Sequence, residues 1–403
     1  MGRIKKFFKY FACYAIISAF AFLYSDTFTN DISKIISDTK KDSAFLSSFE
    51  SKNYISPHLK LPEIIKTDGE PEQDIRKLID ADDPEQPEKT IYLKKKHLRE
   101  IVISAVGDLS LASNYIKPYP GSFYELYDLY GPEYFGENIS HIFKESDYTI
   151  ANLECVLTDN EDPAIRQDKT YCYKGRAVYA GILTEMGIDA VNLANNHTYD
   201  YSQEGYSDTT AALENENIKY FGNGEILIEK INGIKIGFIG ILSEHRASQL
   251  PEALAYLEKS GADIKIVVFH WGNMSETTAN SGQIAAGRFA IDCGADLVVG
   301  HHPHVLQGIE EYKGRYIVYS LGNFIFDGSV ISDIENRTSV IFQQRFVLSG
   351  TEIIENNINL IPILVTSNMS RNNFRPVLAD ENQKEDILRK IGQRGTYKTE
   401  TPD

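Results

Sequence analysis

Cysteine is scarce in this sequence. The chain of 403 residues has four, Cys13, Cys155, Cys172 and Cys293, and none of them shows paired spacing. This excludes a disulfide-rich scaffold and a zinc knuckle. Cys13 lies in an apolar run and Cys293 in a predicted helix, so we expect both to be small buried residues. An extracytoplasmic location would allow Cys155 and Cys172 to form a disulfide.

Positive charge is also in short supply. The 41 Lys and Arg residues face 57 Asp and Glu residues, which gives a formal net charge of −16. A nucleic-acid-binding protein needs Lys and Arg to neutralise phosphates, so we predict no nucleic-acid partner. The same balance argues against broad adsorption to an anionic membrane surface. The length accommodates one large catalytic domain with appendages, or two modest domains.

A long apolar run lies at the N-terminus. Basic residues within the first six positions precede the run 7–24, which is interrupted by Lys9 and Ser18. Its length is close to the roughly 20 residues that cross a bilayer. The candidate cleavage site at 19–21 lies inside the run and not after it. We therefore predict an uncleaved transmembrane anchor over residues 1–25, with its basic end in the cytoplasm.

Composition changes twice after this anchor. Residues 26–99 are rich in Lys, Asp, Glu, Ser and Pro, cannot bury much apolar surface, and are predicted to form a stalk or linker. Residues 100–378 are predicted to form the main domain. The polar residues 379–403 are expected to be a loosely held tail.

In the main domain, apolar runs rich in β-branched residues repeatedly end just before a polar cluster. These runs are 101–106, 148–151, 190–194, 264–269 and 297–299. Predicted helices that stop at Gly187 and Gly294 separate several of them. Alternating strands and helices predict an α/β domain, which binds ligands beyond the carboxyl ends of its strands. Residues 339–347 and 352–366 additionally predict an antiparallel hairpin.

The polar clusters contain the side chains that divalent metals prefer in proteins. The predicted metal ligands are Asp108, Asn152, Glu154, Asn196, His270, His302 and His304. His302-Pro303-His304 would place two ligands on one extended turn, whereas His301 is as readily a structural residue. We predict that a divalent metal ion (Mn, Zn, Fe or Mg) binds where these strand ends meet.

Two further residues are predicted to be catalytic. His197 follows Asn196 and would act as a general acid, protonating a leaving group while a metal polarises the electrophile. Asp200 would orient His197 or cap the next helix. Each polar residue taken singly also has an ordinary explanation, such as a turn for Asp108 or the core for His270. Their recurrence at five strand ends favours a site.

These residues resemble, in order, the motifs of the CapA family of bacterial capsule synthesis proteins. The matching segments are Gly107-Asp108, Asn152-Leu153-Glu154, Ala194-Asn195-Asn196-His197 with Asp200, His270-Trp271-Gly272, 300–304 and 319–324, within 101–327. The resemblance implies a branch of the calcineurin-like metallophosphoesterases. It thus implies an α/β, metallophosphatase-like four-layer sandwich, with two β-sheets packed face to face and flanked by helices, behind the N-terminal transmembrane anchor.

The resemblance also implies a role in capsule or poly-γ-glutamate biosynthesis and export. The expected partners are an anionic polymer such as poly-γ-glutamate and the membrane-bound synthase or export subunits. The expected location is the cell membrane, with a single span and the main domain outside the cytoplasm. Two functions follow as hypotheses: a divalent-metal-dependent hydrolase, or a non-catalytic accessory protein that binds the polymer or the synthase with the same fold.

Some positions depart from the pattern that the resemblance implies. Ser110 lies where a phosphoesterase has a histidine, and Asn152 lies where an aspartate would bridge two metals. Met274 lies where many family members have a glutamate after His-Trp-Gly. A phosphodiesterase or nucleotidase acting outside the cell would need two metals, so Ser110 and Asn152 argue against that third function.

Overall fold

The first strand, β1 (Leu98–Leu109), runs through the larger of two sheets, and every residue from Ile103 to its end is buried. Such burial on both faces explains why its sequence is almost continuously apolar. The computed structural model describes residues 98–112, 119–326 and 333–397. All of them belong to the second of two units into which the chain divides, His58–Asp403.

The other elements follow in chain order. The further strands are β2 (Tyr148–Leu153), β3 (Val156–Leu157), β4 (Lys174–Gly175), β5 (Ala190–Asn192), β6 (Lys219–Phe221), β7 (Ile226–Ile231), β8 (Ile234–Leu242), β9 (Ile264–His270), β10 (Leu297–His301), β11 (Ile309–Tyr312), β12 (Arg315–Val318), β13 (Asn323–Ile325), β14 (Thr338–Ser349), β15 (Glu352–Leu364) and β16 (Val377–Leu378). The α-helices are α1 (Phe123–Tyr130), α2 (Glu133–Gly136), α3 (Ser140–Lys144), α4 (Ala180–Met186), α5 (Ser202–Asn215), α6 (Leu250–Lys259), α7 (Ser281–Asp292) and α8 (Glu381–Arg394).

Two main sheets contain most of the strands. The larger has the order β16-β15-β14-β1-β2-β5-β6, with β13 also paired to β1, and the smaller has the order β11-β12-β10-β9-β8-β7. Strands β1, β2, β5 and β6 are mutually parallel, as are β8, β9, β10 and β12. The predicted mixed α/β class is therefore confirmed. The predicted antiparallel hairpin is confirmed as β14 and β15.

The two sheets share one hydrophobic core. Ile103 of the larger sheet belongs to the same buried cluster as Phe238 and Val299 of the smaller sheet. Burying each such side chain contributes about 1.5–3 kcal/mol. This shared core means that the sheets pack face to face.

Helices cover the outer face of each sheet. Leu153 of the larger sheet packs in a cluster with Phe123 of α1, and Val267 of the smaller sheet packs in a cluster with Leu254 of α6. The layers therefore follow the order helices, sheet, sheet, helices. Because the helices cover the outer faces of the sheets, a site can form at the ends of the strands.

The N-terminal predictions fall largely outside the described residues. The predicted anchor, 1–25, lies outside them, as does the predicted stalk, 26–99, except for Leu98 and Arg99, which begin β1. Over the three described ranges, the structure contains no helix that is both long enough and apolar enough to span a membrane.

The cysteines within the described residues are free thiols. Cys155 and Cys172 are both buried and are not joined to each other, so the disulfide considered for an extracytoplasmic protein is absent. Cys155 packs in the core beside the larger sheet, whereas Cys172 packs with Val156 and Tyr201. Burial raises the pKa of both thiols. Cys293 is half-buried and not fully buried as expected.

The expectation of a loosely held C-terminal tail is wrong for residues 381–394, which form α8. Asp380 caps this helix through a reciprocal pair of hydrogen bonds with Gln383. Ile387 and Ile391 lie four residues apart on one face and are buried against the core shared by the two sheets. Charged residues between them had concealed this apolar face in the sequence.

Candidate metal centre

The predicted site residues come together because neighbouring parallel strands end at the same level. Asp108 of β1 pairs in register with Asn152 of β2, which pairs with Asn192 of β5. In the smaller sheet, His270 of β9 pairs with His301 of β10. The two sheets therefore bring acidic, amide and imidazole side chains to one place.

The turn after β10 holds its histidines in an unusual backbone conformation. His302 has φ 96° and His304 has φ 58°, both in the left-handed region that non-glycine residues seldom adopt. Gly300 admits no side chain, since a Cβ there would lie 2.2 Å from the carbonyl oxygen of Tyr319. Strain of this kind is concentrated at functional sites, where the surrounding structure maintains it.

Asp108 anchors this turn from the other sheet. Its Oδ1 accepts a hydrogen bond from His301 Nδ1 at 3.0 Å, and its Oδ2 accepts one from the backbone N–H of His302 at 3.1 Å. Oδ2 also lies 3.1 Å from His304 Nδ1. Burial opposes ionisation of Asp108, but the hydrogen bonds from His301 and His304 hold its pKa well below the usual range. The carboxylate therefore positions two imidazole rings.

Glu154 is the acid at the centre of the cluster. Its side chain is fully buried, and its Oε1 has no hydrogen-bond partner among the described residues. This oxygen lies 3.5 Å from His270 Nε2, 3.7 Å from His304 Nε2 and 3.9 Å from His197 Nε2. Burial, and then the charges of Asp108 and Asp200, raise the pKa of Glu154 well above its usual value. A cation beside it would remove the cost of burying its charge.

Two histidines of the turn face Glu154 in a form suited to metal binding. His304 Nδ1 lies against Asp108 Oδ2 and, at 3.0 Å, against Asn323 Oδ1. Both atoms are acceptors, so His304 carries a proton on Nδ1 and directs Nε2 towards Glu154. His302 Nδ1 is buried without a partner among the described residues. Burial, and then His304, lower the pKa of His302 to about 4, so its ring is neutral at pH 7.

The donor groups fit a divalent metal ion. Glu154, His302 and His304 each offer a ligand atom within 4.8 Å of the others, and Asp108, Glu154 and His270 form a second such group. A carboxylate and two imidazoles are a common ligand set for catalytic Zn²⁺ and similar metals. The partnerless buried atoms Glu154 Oε1 and His302 Nδ1 are the specific observation that favours the first group.

Two predicted amide ligands lie at the cluster in different orientations. Asn196 is exposed, and its Oδ1 lies 2.7 Å from His270 Nε2. Asn152 is buried, but its Oδ1 accepts hydrogen bonds from Asn192 and Asn195, at 3.0 and 3.4 Å. The oxygen of Asn152 that was predicted to bind metal therefore faces away from the cluster, because two neighbouring amides bind it there.

His197 lies between the cluster and a pocket. Its Nδ1 is 2.7 Å from Asp200 Oδ2, which also accepts the backbone N–H of Tyr173 at 2.7 Å. Burial lowers the pKa of His197, although the hydrogen bond to Asp200 opposes this. Asp200 thus holds the His197 ring and forms an ion pair with Lys169. It does not cap α5, since Tyr201 occupies the N-cap position without a side-chain hydrogen bond.

A pocket of about 420 Å³ opens onto these histidines. His197 and His304 line it, together with Lys169, Tyr171 and Tyr173. These last three come from the loop between β3 and β4, whose sequence has no periodicity that would have indicated a site. The pocket therefore adjoins the cluster and is lined by aromatic and cationic groups.

Three asparagines that were not predicted as site residues form hydrogen bonds with members of the cluster. Asn192 and Asn195 fix the amide of Asn152, and Asn323 binds His304. Asn192 lies within an apolar strand, where a buried amide is itself a signal of a polar network. Of the other two positions that depart from the family pattern, Ser110 is buried, and Met274 is exposed and lines the pocket.

The fold and the site together define a class: a mixed α/β protein with a buried cluster of histidines and carboxylates at its strand ends. The family described as bacterial capsule synthesis protein PGA_cap matches residues 102–328, and the chain belongs to this family. The family prediction is therefore confirmed.

Named relatives agree with this assignment. The chain is 27% identical over 355 residues to "Capsule biosynthesis protein CapA" of Bacillus anthracis, covering 81% of this chain and 82% of the relative. It is 30% identical over 288 residues to "PGA biosynthesis protein CapA" of Bacillus subtilis, covering 66% and 73%. A "Probable polyglutamine synthesis accessory protein" of Mycobacterium tuberculosis is 28% identical over 216 residues, covering 45% and 56%.

Proposed function

We propose that this protein takes part in capsule or poly-γ-glutamate biosynthesis and export, and that its histidine and carboxylate cluster is a divalent-metal-dependent hydrolase site. Family membership and the names of the Bacillus relatives support the biological role. The observation that carries the chemical role is Glu154 Oε1, a buried acidic oxygen without a partner among the described residues that faces three histidine nitrogens.

The proposed fold relationship is to the metallophosphatase-like four-layer sandwich. Its support is the layer order helices, sheet, sheet, helices, with candidate ligands at strand ends in both sheets. In this interpretation the larger sheet contributes Asp108 to the metal site, and the smaller sheet contributes the turn after β10. Their hydrogen bonds join the sheets at the site.

Glu154, His302 and His304 would hold the metal. A bound divalent ion supplies Lewis-acid polarisation of a phosphoester or an amide carbonyl and lowers the pKa of a water molecule. The protein positions the other groups: Asp108 orients His304, while Asp200 keeps the proton of His197 on Nδ1 and leaves Nε2 facing the cluster. His197, at the pocket wall, would take up a second proton on Nε2, and the resulting imidazolium would deliver that proton to the leaving group.

The affinity for metal is expected to rise with pH. Below its folded-state pKa, which is raised well above the ordinary 4.5, Glu154 holds a proton that a metal must displace. Affinity should therefore increase about tenfold per pH unit until the pH passes that pKa, and then level off. His302, with its pKa near 4, contributes no proton at neutral pH. Calorimetric titration with Mn²⁺ in buffers of different ionisation enthalpy should detect a proton release that grows as the pH is lowered, and a titration that releases no proton at any pH would contradict this origin.

We also propose that the protein is anchored in the cell membrane by one span, with the main domain outside the cytoplasm. The basic residues followed by the apolar run 7–24 support this location. Protease added to intact spheroplasts should degrade the main domain, whereas a chain shortened to begin at residue 26 should stay inside and be protected. Protection of the full-length chain would contradict the proposed orientation.

A second candidate is a non-catalytic accessory protein that binds the anionic polymer or the membrane synthase and export subunits. The name of the mycobacterial relative includes the word accessory. The neutral Asn152, at the position where the family resemblance implies a bridging aspartate, is the feature of this chain that favours it. The two candidates differ in whether His197 is needed for hydrolysis.

A further inference from the structure

We propose that the side-chain amide of Asn152 occupies the position of a second cation, so that the site holds one metal ion and not two. This inference rests on the proposed metal site formed by Glu154, His302 and His304. It concerns the second group of candidate ligands, Asp108, Glu154 and His270.

The direction of the Asn152 amide is set by backbone groups. Asn192 Oδ1 accepts the backbone N–H of Ala194 at 3.1 Å, so its Nδ2 must be the group that donates to Asn152 Oδ1. Asn195 Oδ1 likewise accepts the backbone N–H of His197 at 3.0 Å, so its Nδ2 also donates to Asn152 Oδ1. With its oxygen bound by two donors, Asn152 presents its NH₂ group to the cluster.

That NH₂ group lies among the three members of the second ligand group. Asn152 Nδ2 is 3.0 Å from Asp108 Oδ1, 3.3 Å from His270 Nδ1 and 3.5 Å from Glu154 Oε2. All four side chains are buried. The partly positive amide hydrogens therefore take the place between these acceptors where a cation would otherwise be required.

His270 has no nitrogen left for a metal in this arrangement. Because Nδ1 accepts from Asn152, the neutral ring carries its proton on Nε2, which lies 2.7 Å from Asn196 Oδ1. The first group is different: Glu154 Oε1 and His302 Nδ1 are buried and have no partner among the described residues. The Asn152 amide therefore occupies the space between Asp108, Glu154 and His270. In the group Glu154, His302 and His304, two buried atoms remain available to bind a metal.

The structure leaves little room for the supporting amide to turn. A Cβ at Gly240 would lie 2.1 Å from Asn192 Oδ1, and a Cβ at Gly222 would lie 2.8 Å from the same atom. The Asn192 side chain thus packs closely between two glycine backbones. Packing of Asn192 therefore fixes the orientation of the Asn152 amide.

The test is the metal content of the purified full-length chain and of Asn152→Asp after saturation with Mn²⁺. Elemental analysis should give one Mn²⁺ per chain for the wild type and two for Asn152→Asp, since a carboxylate replaces the NH₂ group. Electron paramagnetic resonance should show an isolated Mn²⁺ in the wild type and a spin-coupled pair in the variant. Asn215→Asp, which makes the same change at an exposed position on α5, should keep one.

The outcomes separate this inference from the proposed function. Two metal ions in the wild type, or one in a folded Asn152→Asp, would overturn the inference and leave the metal site standing. No metal in the wild type would overturn the metal site and the inference together. The wild-type count decides the inference even if Asn152→Asp does not fold.

Discussion

Replacing Glu154 with glutamine is expected to lower the affinity for Mn²⁺ by more than about 100-fold. Removing a hydrogen-bond partner of a metal ligand already lowers metal affinity by about 10–100-fold. Glu154 is itself a candidate ligand, and it is the acid shared by both candidate ligand groups. Glutamine keeps the shape of the side chain and removes its negative charge. Isothermal titration with Mn²⁺ measures the effect directly.

The same substitution should leave the metal-free fold intact. Burial, and then the charges of Asp108 and Asp200, raise the pKa of Glu154 well above its usual value. The fold without metal therefore disfavours the ionised form of this side chain, and glutamine imitates the neutral form. The melting temperature without metal should therefore be unchanged or higher. Glu252→Gln, an exposed change on α6, is the matched control and should keep full affinity. Unchanged affinity in Glu154→Gln would contradict the assignment of Glu154 as a ligand.

Replacing His197 with alanine is expected to lower kcat by about 10²–10⁴-fold, the usual contribution of general acid catalysis. His197 lines the pocket, and its Nε2 faces Glu154, while Asp200 binds the other nitrogen. Hydrolysis of a chromogenic phosphodiester and release of glutamate from poly-γ-glutamate are the two assays, since the proposed chemistry attacks a phosphoester or an amide. Metal content should stay at the wild-type value.

The pH profile distinguishes a proton donor from a structural histidine. A general acid must be protonated, and burial holds the pKa of His197 below its usual 6.5. Wild-type kcat should therefore fall as the pH rises through that pKa, and this limb should vanish in His197→Ala. Asp200→Asn should lower kcat less than His197→Ala does, because it weakens the hydrogen bond that orients the His197 ring but leaves His197 in place as the proton donor. Full hydrolysis by a folded, metal-loaded His197→Ala would contradict the catalytic role and favour the accessory function.

The strand ends were predictable because the signal is local. A β-branched run that ends in a polar residue indicates both the strand and the edge where its last side chain lies. Parallel pairing then places Asp108 beside Asn152 in the larger sheet and His270 beside His301 in the smaller one. Helix α8 was missed because Ile387 and Ile391 are separated by charged residues, and only packing against both sheets reveals the apolar face.

The orientation of Asn152 was beyond any local pattern. Its amide direction depends on Asn192 and Asn195, which meet it only after β2 and β5 pair and the following turn folds back. Lys169 and Tyr173 reach the pocket from a loop without periodicity. The Asn152 orientation and the loop residues at the pocket were missed for the same reason. Both depend on hydrogen bonds between segments that are distant in the chain, and residue spacing does not indicate such bonds.

The central claim is that Glu154, His302 and His304 hold a divalent metal, and anomalous diffraction from crystals soaked in Mn²⁺ tests it most directly. The predicted result is one anomalous peak within about 2.0–2.6 Å of ligand atoms from all three side chains. The absence of any peak in the cluster at saturating Mn²⁺, or a peak bound only by other residues, would contradict the account.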